Sequence, residues 1–229
     1  SQYLIPKHLL TRLVGFFAGA KMGGLTTAMI NSFIKHYKIN TKEIIGKPEE
    51  YKTFNDFFAR QIQPDARPIN MTDNVLVFPA DGKISQFGAI EDKFMLQAKN
   101  HYYTVNALLA NSPEAKLFQN GDFITTYLSP KDYHRVHIPF DGTLTKMIHV
   151  PGDLFSVNKF NAEHIPELFA RNERVICFFD TSIGKMAVVL VGATIVRSIS
   201  TVWSGVVAPS KNKDISVYDY KDDNKSFPK

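Results

Sequence analysis

Tyr127-Leu-Ser-Pro-Lys-Asp-Tyr-His134-Arg-Val-His137-Ile-Pro-Phe-Asp-Gly142 gathers two imidazoles, two carboxylates and two prolines into one short segment. A β-like run, Asp122 to Leu128, leads into it and another, Thr143 to Val150, leads out. Strands are therefore expected to deliver this polar cluster to a rim. Histidine is the side chain best suited to moving protons near neutral pH, and two of the seven lie here three residues apart. A His-x-x-His pair without a third ligand is weak evidence for metal, and none is expected; a surface loop with ordinary histidines is the plain alternative.

Working outward, 229 residues at 44% hydrophobic and 21% charged suit a globular protein with one substantial core or two modest ones, which excludes the disordered and fibrous classes. The single Cys177 sits in the apolar run Arg174-Val-Ile-Cys-Phe-Phe179, so no internal disulfide forms and a buried, inert thiol is expected.

The net charge of +5 is unevenly placed. Lys7, Arg12, Lys21, Lys35, Lys38 and Lys42 precede the first acidic residue, Glu43, giving +6 there and −1 over the remaining chain. The same stretch carries Leu9, Leu10, Leu13, Val14, Phe16 and Phe17, then Leu25, Met29, Ile30, Phe33, Ile34 and Tyr37, at the spacing of amphipathic helices separated by Gly23-Gly24. Basic, acid-free helices rich in Phe and Leu suit an anionic membrane surface, each nearby cation contributing on the order of 1 kcal/mol. The charge-free run Leu13 to Ala20 is too short to span, and Ala18-Gly19-Ala20 follows too short an apolar core to be a secretory leader. Nucleic acid is not expected as a partner, because no basic cluster with interleaved aromatics recurs later. The ordinary alternative is that these helices cover the core of the next region.

Thr53 is expected to cap a short helix, Phe54-Asn-Asp-Phe-Phe-Ala-Arg60, with Asp56 completing a capping box, and Pro64 and Pro68 prevent its continuation. Arg60 and Arg67 read as either solvated or anion-binding. After residue 73 the texture turns to short runs rich in Val, Ile, Phe and Thr. Strands are expected at Val75 to Phe78, Phe123 to Leu128, Leu144 to Val150, Val175 to Phe179, Met186 to Leu190 and Thr194 to Trp203, with short helices at Val105 to Ala110 and Ile165 to Ala170. The tail from Lys211 to Lys229 reads as a polar linker that docks elsewhere or frays. The expected fold is α+β: a basic helical region, residues 1–63, packed on a β-rich catalytic body, residues 64–229.

Asp81-Gly82 lies in a turn between two such runs. Alone it is turn chemistry, yet an Asp fixed at a strand end can orient a histidine, and Asp81 with His137 makes a candidate pair for activating a hydroxyl. The serine is missing: Ser156, in Val150-Pro-Gly-Asp-Leu-Phe-Ser-Val-Asn158, lacks a nucleophile-elbow context.

Phe54 to Arg60, Phe78-Pro-Ala-Asp-Gly-Lys-Ile-Ser85, Tyr127 to Gly142, Pro151 to Asn158, Phe169-Ala-Arg-Asn-Glu-Arg174, Val191-Gly-Ala-Thr194 and Thr201-Val-Trp203 together resemble the phosphatidylserine decarboxylase family, of the bacterial membrane-associated kind. Arg197 departs from it, standing where a small residue is expected. The resemblance implies a proenzyme that cuts itself at a Gly-Ser step, the new serine end becoming a pyruvoyl cofactor on a small α subunit. No Leu-Gly-Ser-Thr sequence occurs here, so the chain resembles the larger β subunit. By the same resemblance, His137 deprotonates the partner serine, Asp81 orients His137, and His134 serves decarboxylation of phosphatidylserine to phosphatidylethanolamine through a pyruvoyl Schiff base. It further implies a peripheral protein on the cytoplasmic face of the bacterial inner membrane, with a dimer of heterodimers as one assembly. Two rival readings are a non-enzymatic anionic-lipid-binding module, in which Asp81, His134 and His137 are idle, and a metal-dependent hydrolase.

Overall fold

Apolar runs broken by turn residues make short strands, and a computed structural model describes the chain over residues 14–229 apart from Arg197 and Lys211. The strands are β1 (Lys83–Ala89), β2 (Phe94–Ala98), β3 (His101–Thr104), β4 (Asp122–Tyr127), β5 (Gly142–Val150), β6 (Arg174–Thr181), β7 (Gly184–Val191), β8 (Ile199–Thr201), β9 (Gly205–Ala208), β10 (Ser216–Asp219) and β11 (Ser226–Phe227). The α-helices are α1 (Gly24–Tyr37), α2 (Phe54–Phe58), α3 (Val105–Leu108), α4 (Lys159–Ala162) and α5 (Leu168–Arg171). The fold is α+β, with strands the main regular structure of the body. The expectations that fall on residues 1–13, including Lys7, Arg12 and the first leucines, and on Arg197 lie outside the described residues.

The described residues form two compact units, each discontinuous: one takes residues 84–125 and 141–228, the other residues 14–83, 126–140 and Lys229. In the first, β5, β6 and β7 pair antiparallel, with Ile148 opposite Ile176 and Cys177 opposite Val188. β6 is central and buried from Arg174 to Phe179, which explains its unbroken apolar run. Ile148, Val150, Phe155, Leu168, Ile176 and Phe178 form its core, each such side chain contributing about 1.5–3 kcal/mol on burial. Cys177, between Ile176 and Phe178 on β6, is also buried, and desolvation pushes its thiol up to about 12, as an inert cysteine requires.

The tail departs from expectation. Rather than a linker, it forms β10 and β11, both antiparallel to β5, with Ser216 opposite His149 and Phe227 opposite Gly142. The open edge of β5 supplies the ladder partners that a polar sequence can use whatever its hydropathy. Phe227 also packs its ring 5.1 Å from that of Trp203, and Tyr220 bonds Ser204. Thr194 to Trp203 is not one strand: a turn closes through Ala193 and Val196, and among its described residues only Ile199–Thr201 pairs, with β9. Val75 to Phe78 is not a strand either. Val77 N–H donates to the Pro139 carbonyl and His137 N–H to the Pro79 carbonyl, but prolines at 79 and 139 lack the N–H that would extend the pairing.

The second unit is held by aromatic packing. Thr53 and Asp56 form the expected reciprocal cap of α2. Phe57 is fully buried against Ile30 of α1, Ile39 and Ile44, with Phe33, Tyr37, Tyr51 and Phe54 around it. Before α1, residues 14–19 are helical and Gly23, at φ 56°, makes the break.

Candidate active site

Every candidate residue lies in this second unit. The segment after β4 turns at Ser129-Pro-Lys-Asp132, where the Asp132 carboxylate accepts from Ser129 N–H at 2.7 Å and from its hydroxyl at 2.8 Å. That carboxylate is therefore spent on the turn. Arg135 fastens the far side by donating from Nε to the Ala59 carbonyl at 2.8 Å.

His134 lies against Phe58, ring centroids 4.1 Å apart, and its Nδ1 is 2.8 Å from the Asp132 carbonyl oxygen. Phe57 and Phe58 are successive residues of α2 about 100° apart around its axis, so one enters the core while the other meets His134. Burial is the main cause that holds the His134 pKa below its ordinary value; the Asp132 carbonyl opposes it and Arg60 reinforces it.

His137 takes a different setting. Its ring is exposed and stacks on that of Tyr133, centroids 5.7 Å apart, with Nε2 3.1 Å from the Tyr133 hydroxyl. The two histidines are thus held by separate aromatic partners.

Asp81 precedes Gly82, whose φ of 145° and whose 2.5 Å clearance from the Tyr127 carbonyl oxygen to any added Cβ admit only glycine. The Asp81 carboxylate accepts a fork from Arg67, 2.7 Å from Nε and 2.5 Å from Nη2. Arg67 also reaches Glu43 at 3.0 Å. The fork is the largest cause that holds Asp81 below the usual carboxylate range, and the Tyr133 backbone N–H adds to it. The structure brings Asp81 and His137 together through Tyr133, whose amide serves one and whose hydroxyl serves the other; it shows no direct hydrogen bond between them. A cleft of about 220 Å³ opens here, lined among others by Glu43, Arg60, Arg67, Asp81, Lys131 and Tyr133. Among the described residues no group of three or more His, Cys, Asp or Glu is placed to hold a metal ion.

Sequence reasoning passed over Tyr133 and left Arg67 open between solvent and an anion. Tyr133 has a local signal, an aromatic directly before His134. The Arg67–Asp81 fork spans 14 residues and has none.

The family described as phosphatidylserine decarboxylase matches residues 54–224, which include Asp81, His134 and His137. The chain belongs to the phosphatidylserine decarboxylase family. A second family, described as PSD, matches residues 1–38. Among curated relatives, the phosphatidylserine decarboxylase proenzyme of Haemophilus ducreyi is 56% identical over 222 residues, 96% of this chain and 75% of that protein. The proenzyme of Klebsiella pneumoniae is 60% identical over 213 residues, covering 92% and 66%, and one from a Shewanella species is 54% identical over 221 residues, covering 96% and 76%. The family's motifs divide by role. Those around Asp81 and His134 build the cleft, whereas those at Pro151 to Asn158 and Phe169 to Arg174 build structure in the first unit. There Asn172 donates to the Phe155 and Gly192 carbonyls and accepts from Phe155 N–H.

Proposed function

We propose that this chain is the large, β subunit of an enzyme that decarboxylates phosphatidylserine to phosphatidylethanolamine, formed when a precursor cuts itself to leave a small α subunit bearing a pyruvoyl group. The observation that best supports this is that His134 and His137, three residues apart in the family-matched segment, are held in two different environments, as two jobs require.

The residues fit a carbonyl cofactor brought by another chain, because the set consists of proton carriers and orienting groups. When bound, the pyruvoyl carbonyl would supply the electron withdrawal that loss of carbon dioxide needs. His134 does the proton work. A carbonyl oxygen only accepts, so its Nδ1 carries the hydrogen and Nε2 is the open base. Kept neutral near pH 7 by burial, that nitrogen takes the proton given up by the substrate amine and returns it to the carbon that loses carbon dioxide. His137, exposed and steadied by Tyr133, takes the serine proton in the cutting step. Asp81, ionised far below neutral pH, stabilises the positive charge that His137 then gains.

Purification from the full-length precursor tests the reading. Intact mass should reveal a small companion chain with a blocked N-terminus, and carbon dioxide release should require it; turnover by the 229-residue chain alone would sink the subunit assignment.

Attachment to the cytoplasmic face of the inner membrane is proposed as peripheral. Among the described residues no helix is long and apolar enough to cross a bilayer, while Phe16, 73% exposed, and Phe17 stand out beside Lys21. Flotation with anionic vesicles should weaken in high salt, since surface attraction is screened over about 10 Å at 0.1 M; salt-insensitive binding would remove the electrostatic part.

A further inference from the structure

Arg60 is 4% exposed, yet most of its hydrogen-bonding capacity is unspent. Nη2 donates to the Lys131 carbonyl at 3.0 Å and to the Asp132 carbonyl at 3.4 Å, while Nε and Nη1 are buried without a partner among the described residues. Its other contact is the face of Phe57, 5.2 Å from the ring centroid. Burying a guanidinium with so few partners is not how a fold gains stability, so the charge calls for another explanation. What it reaches is the carbonyl of Asp132, the same oxygen that receives His134 Nδ1–H.

We propose that Arg60 is a positioning residue for His134, its guanidinium gripping the two carbonyl groups that set the tautomer and orientation of that ring. The inference rests on the reading of His134 as the proton carrier of decarboxylation. With the Lys131–Asp132 peptides held, Nδ1–H stays on the carbonyl and Nε2 stays bare and aimed. The charged groups acting on His134 are Arg60 and Asp132, and the Phe58 ring lies against it at a tilt of 40°. Burial is the main cause that holds the ring's pKa down; the Asp132 carbonyl and then its carboxylate favour a positive charge on the imidazole, and Arg60 opposes it.

The test uses the two-chain enzyme cut from the full-length precursor, as wild type, Arg60→Gln and Arg60→Lys. The His134 imidazole is titrated by NMR, its signal assigned by its loss in His134→Gln, beside the pH profiles of kcat and KM. In Arg60→Gln the midpoint should rise by about 0.5–1 pH unit and the acid limb of kcat should rise with it. kcat should fall about tenfold or more while KM moves about twofold or less, and precursor cutting should proceed. Arg60→Lys keeps the charge and grips less well, so its midpoint should stay near wild type with kcat between the two. A folded Arg60→Gln enzyme with unmoved midpoint and acid limb overturns the proposal. If Arg60→Gln does not fold, Arg60→Lys decides: a reduced kcat at unchanged KM supports the grip, and a wild-type kcat overturns it. A wild-type enzyme without decarboxylase activity would remove the functional reading instead, while the NMR midpoints would still report whether Arg60 acts on His134.

Discussion

Two arginines are buried to the same degree and used in opposite ways. Arg174, in the unit built on the large sheet, is 3% exposed and spends every nitrogen: Nε donates to the Leu108 carbonyl at 2.7 Å, Nη1 to those of Ala170 and Asn172 at 2.6 and 3.1 Å, and Nη2 to that of Ala107 at 2.8 Å. Burial alone pulls its pKa down to about 10, so it stays charged. Beside it in sequence, Glu173 pairs with His149 at 3.1 Å, both side chains buried. Arg60, in the other unit, leaves Nε and Nη1 unpartnered. A buried charge whose donors all meet carbonyls at the ends of short helices is an organiser of structure, whereas one left mostly unspent beside an imidazole acts on chemistry.

The contrast can be broken at several points. The largest effect is expected from Asp81→Ala or His137→Ala, which should leave the precursor uncut, read as a single band on a denaturing gel; normal cutting in both would make this cluster ordinary surface. Next, His134→Ala should permit cutting but lower product formation by about a hundredfold to ten-thousandfold, measured as carbon dioxide release. An uncut His134→Ala precursor beside a cut His137→Ala one would exchange their roles.

Smaller is the change in stability from Arg174→Met, about 3–5 kcal/mol in denaturant unfolding, because buried carbonyls at Ala107, Leu108 and Ala170 lose their donor. Arg60→Met should cost clearly less, and an equal loss would erase the distinction. The smallest effect concerns pH. His134 has a folded pKa below its unfolded value near 6.5, so its contribution to stability is fully present above about pH 6.5 and is lost as pH falls through the folded value, where the unfolded chain binds the extra proton. Unfolding midpoints from pH 7 to 5 should fall less steeply in His134→Gln than in wild type; identical slopes would show that burial does not disfavour the charged ring.

Much of the fold was legible because its signals are local. Thr53 and Asp56 are three apart, Gly23 at its positive φ breaks the helical run just before α1, and the unbroken run of β6 marks a strand buried in the middle of a sheet. The misreadings share a different cause. Val75 to Phe78 has a strand's composition, but its pairing with residues 137 and 139 stops at prolines, and the polar tail has a linker's composition but finds the free edge of β5. Neither outcome is written within a few residues.

By itself the sequence determined which residues are candidates: Asp81 in a turn that demands glycine, and two histidines in a proline-bounded segment, since residue chemistry and short-range backbone limits belong to the chain. Only the tertiary structure decided how they are engaged. Asp81 is forked by Arg67 from 14 residues away, His134 meets Phe58 and shares a carbonyl with Arg60 from more than 70 residues away, and His137 turns to Tyr133. Hydrogen bonds and desolvation depend on distances of a few ångströms, and between residues so far apart in sequence those distances exist only once the chain has folded.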